Sequence, residues 1–165
     1  MSLVVLIGGA RSGKSSLAVQ MASGDVTFIA TGEPRDDEMA GRIALHREER
    51  PAEWTTVEEP FDLRRALEDA HGTVIVDCLS LWVANALERV DAATVEADGS
   101  DAARAASERV GLTIAVTNEV GLGIVPDNEL ARAYRDVLGR VNASWVAAAE
   151  QAYFVVAGRK LVLEP

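Results

Sequence analysis

Residues 3–15 read Leu-Val-Val-Leu-Ile-Gly-Gly-Ala-Arg-Ser-Gly-Lys-Ser, and Ser16-Leu17-Ala18-Val19-Gln20-Met21 follows. Leu3 to Ile7 is a short continuous apolar run of the kind that forms a strand covered on both faces, and residues 8–15 satisfy G-x-x-x-x-G-K-[ST]. Strand, glycine loop and helix in that order make a phosphate-binding loop. Gly8, Gly9 and Gly13 let the backbone turn its N–H groups inward, so Gly8, Gly9, Ala10, Arg11, Ser12, Gly13, Lys14 and Ser15 together cradle a nucleotide's phosphates. Lys14 brings an ammonium to the β and γ oxygens and the Ser15 hydroxyl suits Mg²⁺. The first turn of the following helix adds the positive end of its dipole.

Further along, Val26 to Thr31 is β-branched and aromatic, bounded by Gly24 and Gly32, and predicts a second strand. A helix is predicted from Asp36 to the stop at Pro51, and another over Pro60 to Ala70. Thr73-Val74-Ile75-Val76-Asp77 is a buried-type strand ending in a carboxylate. Such an acid orients Mg²⁺ in phosphate-loop proteins, although a strand-ending Asp also caps turns. From Asp91 to Ser107 the chain is rich in Ala and Asp and shows no strong apolar face, which predicts a mobile or loosely packed segment. Leu112 to Thr117 predicts a strand and 118–128 a loop, either a glycine-rich connector or part of the site. A long or broken helix is expected from Glu129 to about Gln151, then short strands at Tyr153 to Ala157 and Lys160 to Leu163. The alternation implies one phosphate-loop NTPase-like α/β domain over residues 1–165, its mainly parallel sheet covered by helices on both faces and finished by an antiparallel C-terminal edge.

The chain has 165 residues, 48% hydrophobic and 25% charged, a globular composition with room for a single sizeable core. Sixteen basic residues against 26 acidic ones leave a net charge of −10, which opposes encounter with nucleic acid or anionic membranes. Cys78 is the only cysteine, so no internal disulfide forms and the residue reads as a small buried hydrophobe. No apolar stretch reaches membrane length, and the expectation is a cytoplasmic protein.

The predicted helix after Arg35 places Met39, Ile43, His46 and Arg50 on one face, with Arg42 and Arg50 a turn to either side of His46. A neutral imidazole can attack phosphorus, and flanking guanidiniums hold a phosphate and disfavour the imidazolium. These residues alone do not make His46 a nucleophile, since a solvated histidine on a charged helix shows the same pattern.

The phosphate loop, Ile29-Ala30-Thr31, Asp36-Asp37-Glu38-Met39, Arg42-Ile43, His46, Arg50-Pro51 and Trp54 together resemble the bifunctional adenosylcobinamide kinase/adenosylcobinamide-phosphate guanylyltransferases of cobalamin biosynthesis. Thr117-Asn118-Glu119-Val120-Gly121, Gly123-Ile124-Val125-Pro126, Arg135-Asp136 and Gly139-Arg140-Val141-Asn142 extend the resemblance over nearly the whole chain. It implies two reactions on adenosylcobinamide: phosphorylation by ATP or GTP, then delivery of GMP from GTP to the new phosphate through a guanylyl-histidine. His46 matches the guanylylated histidine, and Lys14 serves catalysis. Nucleotide contacts carry over to residues 8–15, Thr31, Gly32, Glu33, Arg47, Glu48, Glu49, Arg50, Glu58 and Asp77, with Ser15 and Asp77 as the Mg²⁺ pair. Because one loop cannot show both the α- and γ-phosphorus to two nucleophiles at once, the His46 helix is expected to move on GTP binding, with Gly32 and Pro34 as hinge. The resemblance also implies a homotrimer, with Trp54, Trp82 and Trp145 in the core, at an interface or against the corrinoid. A single-activity phosphate-loop kinase would leave His46 idle; a non-enzymatic nucleotide switch would bind without turnover.

Overall fold

The computed structural model describes residues 2–48 and 50–164, the side chains of Ser2, Glu38, Arg42, His46 and Glu48 excepted. Seven strands form one sheet: β1 (Ser2–Gly8), β2 (Val26–Ala30), β3 (Thr55–Glu58), β4 (Thr73–Asp77), β5 (Leu112–Asn118), β6 (Gln151–Val156) and β7 (Arg159–Leu163), in the order β3-β2-β4-β5-β1-β6-β7. The helices are α1 (Lys14–Met21), α2 (Asp37–Glu48), α3 (Leu63–Asp69), α4 (Leu79–Leu87), α5 (Ala92–Glu108) and α6 (Glu129–Ala148). All neighbouring strands run parallel except the last pair. The expected antiparallel edge is therefore β7 alone, because β6 lies parallel to β1.

Two-residue periodicity decides which side each core residue serves. Leu3 and Val5 of β1, Val74 and Val76 of β4 and Ala115 of β5 face α3 to α6, whose Leu63, Leu67, Trp82, Ala102, Leu138 and Trp145 complete that layer. Val4, Leu6, Ile75, Ile114 and Val116 point the other way, onto Ala18 and Leu17 of α1 with Phe28 and Trp54. Both faces are covered, one far more heavily. That sandwiching explains why the central strands read as unbroken apolar runs.

Two expectations are corrected, and two elements are added. The stretch over residues 91–107 is a well-packed helix, capped by Asp91, which accepts from the Thr94 N–H at 2.9 Å. Its buried residues are small ones, Gly99, Ala102, Ala103 and Ala106, so the packing face shows no large side chains in the sequence. A Cβ on Gly99 would stand 3.0 Å from Val141 Cγ2, and the lack of one lets α5 approach α6 closely. Next, α2 ends at Glu48, so Arg50 is not on the helix face that its spacing suggested. Finally, β3 and α4 were not anticipated; α4 buries Leu79, Trp82, Val83 and Ala86. Trp82 and Trp145 are core residues and Trp54 is half-buried, which removes two of the three tryptophans from any interface. Among the described residues, no helix is long and apolar enough to cross a membrane.

Candidate functional site

The parallel strands bring the ends of β1, β2, β4 and β5 to one edge of the sheet, where open α/β folds bind ligands. Register fixes their order, since Gly8 pairs with Asn118, Asp77 with Val116 and Ala30 with Asp77. The glycine loop leaves β1 at that edge. Gly8 is obligatory there: an added Cβ would lie 2.1 Å from the Val155 carbonyl oxygen of neighbouring β6. Gly13, with φ 97°, turns the chain into α1 and supplies no side-chain cap, so the first-turn N–H groups face outward for an anion. The Gly158 N–H donates to the Ser12 carbonyl at 2.8 Å, bracing the loop with the β6–β7 turn.

Lys14 is buried, and its ammonium donates to the Gly9 carbonyl at 2.6 Å and to Ser12 Oγ at 3.3 Å. Desolvation draws its pKa below the ordinary lysine value, opposed by the charges of Cys78 and Asp77. A cation held in a dry loop on neutral oxygens is poised to exchange them for phosphate.

Ser15 and Asp77 line one cavity of about 270 Å³ together with Ser16, Val19, Gln20, Phe28 and Arg50. A hydroxyl and a carboxylate are hard oxygen donors that fit a nucleotide-bound Mg²⁺. Arg50 reaches the cavity from beyond the end of α2, with its guanidinium over the Phe28 ring. Burial lowers its pKa, while Asp77 acts in the opposite sense.

The remaining predicted residues take different positions. Thr31 is fully buried: its hydroxyl donates to the Cys78 carbonyl at 2.7 Å and accepts the Cys78 N–H at 2.8 Å. Its direct effect is to hold the end of β4 against the start of the β2–α2 connection, which positions Asp77. Gly32 packs where a Cβ would meet Leu81 at 3.2 Å and Ile43 of α2 at 3.7 Å. Glu33 pairs with Arg35 at 2.8 Å, and Arg35 also contacts Glu88 and, at 2.9 Å, Asn85 Oδ1. Arg47 is ion-paired with Glu58, tying the end of α2 to the end of β3. Glu49 and the side chains of His46 and Glu48 lie outside the described residues.

Sequence reasoning passed over Phe28, which reads as a strand residue and acts as the platform under Arg50. It also quoted Asn142 without giving it a role; the residue is buried, its Oδ1 accepts from Thr117 Oγ1 at 2.7 Å and its Nδ2 donates to the Asn118 carbonyl at 3.0 Å. The signal for it was an amide on the apolar face of α6, next to Val141.

Residues 4–163 match the family model described as cobinamide kinase / cobinamide phosphate guanyltransferase. The chain is 40% identical to the bifunctional adenosylcobalamin biosynthesis protein CobP of Pseudomonas aeruginosa, over 97% of this chain and 96% of that one. It is 39% identical to the bifunctional adenosylcobalamin biosynthesis protein CobU of Salmonella typhimurium, over 94% and 96% respectively. The Escherichia coli protein of the same name is 37% identical, with 94% and 96% covered.

Proposed function

Because the chain belongs to the cobinamide kinase / cobinamide phosphate guanyltransferase family, we propose that its single phosphate-loop site serves both of that family's reactions. In the first, the hydroxyl oxygen of the acceptor attacks the γ-phosphorus of ATP or GTP in line, and the bond to the β-phosphate oxygen breaks. Lys14 and the open N-terminus of α1 take up the charge that gathers on the transferred and leaving oxygens. In the second, an imidazole nitrogen of His46 attacks the α-phosphorus of GTP and pyrophosphate leaves. The acceptor's phosphate oxygen then displaces the imidazole and takes the GMP. Splitting the transfer in this way replaces one difficult displacement by two easier ones. Ser15 and Asp77 would hold Mg²⁺, which when bound neutralises charge on the phosphates.

The observation that carries this reading is the sharing of one cavity by Ser15, Asp77 and Arg50. Arg50 lines that cavity and stands two residues past the end of α2, which supports a place for the His46 helix near the nucleotide. With Gly32 and Pro34 in its lead-in, α2 can move between a kinase and a guanylylation position. Structures with and without GTP that leave α2 in place would overturn that motion.

Incubation with GTP labelled at the α-phosphate tests the intermediate. Acid-labile, base-stable label on the wild-type chain, lost in His46→Ala while kinase activity persists, is the expected result. Absence of label in an active wild-type preparation refutes the guanylyl-histidine and leaves a single-activity kinase. The homotrimer rests on family resemblance, and light scattering tests it.

A further inference from the structure

Five aliphatic side chains stand exposed within eleven residues: Val120, Leu122, Ile124 and Val125 on the loop from β5 to α6, and Leu130 in the first turn of α6. Ile124 is 97% and Leu122 81% exposed, values at which an aliphatic side chain contributes nothing to the fold. The loop that carries them is nonetheless built. Its first residue donates from the Glu119 N–H to the Gly8 carbonyl at 3.1 Å, so it starts against the phosphate loop. The Glu119 carboxylate accepts the Gly121 N–H, which closes the first turn. Arg132 donates to the Pro126 and Asp127 carbonyls at 2.9 and 2.7 Å, and Asn128 caps α6 by accepting the Ala131 N–H at 2.7 Å. Behind the loop, Asn142 holds the Asn118 carbonyl.

We propose that this loop is the docking platform for the corrin macrocycle of the acceptor, its aliphatic strip lying against the ring. The inference rests on the cobinamide reading above and goes beyond it by placing the acceptor. Two features favour the macrocycle. The strip begins one residue after Glu119, which is bonded to Gly8 at the start of the phosphate loop, so it adjoins the loop read as holding the group to be transferred. A cobalt(III) corrin with neutral amide arms and no phosphate carries net positive charge. Around the strip, Glu119, Asp127 and Glu129 outnumber Arg132 on a chain of net charge −10, which attracts such a cation.

The test compares wild type, Ile124→Ser and Leu122→Ser/Ile124→Ser; the exposure of both residues keeps the fold intact. Equilibrium dialysis with cobinamide, followed by the corrin's own visible absorbance, gives Kd, and steady-state kinase assays give KM for cobinamide and for nucleotide. The expected result is a rise of about 10- to 100-fold in cobinamide Kd and KM in the double variant, a smaller rise in the single one, unchanged nucleotide KM and unchanged mass by light scattering. Val162→Ser, at a position 64% exposed on the far edge strand β7, leaves cobinamide KM unaltered. Wild-type values in the double variant overturn the proposal, and so does a change of mass, which would assign the strip to contact between copies. If the wild-type chain neither binds nor phosphorylates cobinamide, the family reading of the substrate fails instead.

Discussion

The guanidinium carbon of Arg50 lies 3.5 Å from the centroid of the Phe28 ring, and Arg50 Nε is buried without a hydrogen-bond partner. The ring fixes the plane of the cation, whose Nη1 donates to Thr56 Oγ1 at 3.5 Å, and the side chain lines the cavity shared with Ser15 and Asp77. Phosphate oxygens satisfy such a fork two at a time. Arg50→Ala is therefore expected to raise nucleotide KM by about 10- to 100-fold. Arg50→Lys restores only part of it, because an ammonium offers neither the planar fork nor the stacking. Steady-state kinetics of the three proteins decide the matter, and equal KM for Arg and Lys would refute the bidentate role.

Lys14→Met replaces the buried ammonium by an apolar chain of similar length. Both transfers draw on the same loop, so both rates are expected to fall by about 10²- to 10³-fold. Selective loss of one activity would show that the two reactions use different nucleotide sites. The thermal midpoint should change little, since Lys14 bonds only to its own loop.

Thr31→Val keeps the shape of a fully buried side chain but strands the Cys78 N–H, and leaves the Cys78 carbonyl with only the Trp82 N–H as donor. Urea unfolding should show a loss of roughly 1–3 kcal/mol. Displacement of the neighbouring Asp77 should lower kinase activity as well. Unchanged stability would mean that water replaces the hydroxyl.

Gly8→Ala forces a methyl against the Val155 carbonyl oxygen, a backbone atom that cannot swing aside. Strand β6 or the phosphate loop must shift, and nucleotide binding measured by calorimetry is expected to be lost. Gly9→Ala is the contrast, because a Cβ there meets nothing within 4 Å.

Burial, reinforced by the charge of Asp77, pushes the Cys78 thiol from 9.0 to about 11. The folded protein thus holds this proton more tightly than the unfolded chain does between those values. Stability is complete below pH 9 and declines as pH rises toward 11, by up to about 1.4 kcal/mol per pH unit. Cys78→Ala removes that component of the slope. At pH 8 the native thiol should also resist alkylation until the protein unfolds.

Much of this was legible from a short stretch. Leu3 to Ser15 announces a buried strand and a phosphate loop because both are local: apolar continuity reports burial on two faces, and glycine spacing reports backbone geometry. Asp77 was legible for the same reason, as a carboxylate ending an apolar run. Helix α5 was not, because its buried face is made of Gly and Ala, and small residues carry little hydrophobic signal even where two helices meet closely. Arg50 lines a cavity with Ser15 and Asp77, but not through the expected geometry: a spacing of four residues implies a helical face only while the helix lasts, and α2 ends at Glu48.

By itself, then, the order of residues determined the glycine loop between β1 and α1, the alternating strands and helices, and the family resemblance on which His46 stands out. Only the tertiary structure decided which distant groups share the cavity. Ser15, Phe28, Arg50 and Asp77 come from four separate segments and meet because parallel strands align their ends at one edge. Likewise the hydroxyl of Thr31 turned inward to Cys78, while Leu122 and Ile124 stand exposed to solvent. The physical reason is range: strand, loop and turn preferences act between near neighbours in the chain, whereas burial, hydrogen-bond satisfaction and the lining of a cavity are settled by packing between segments.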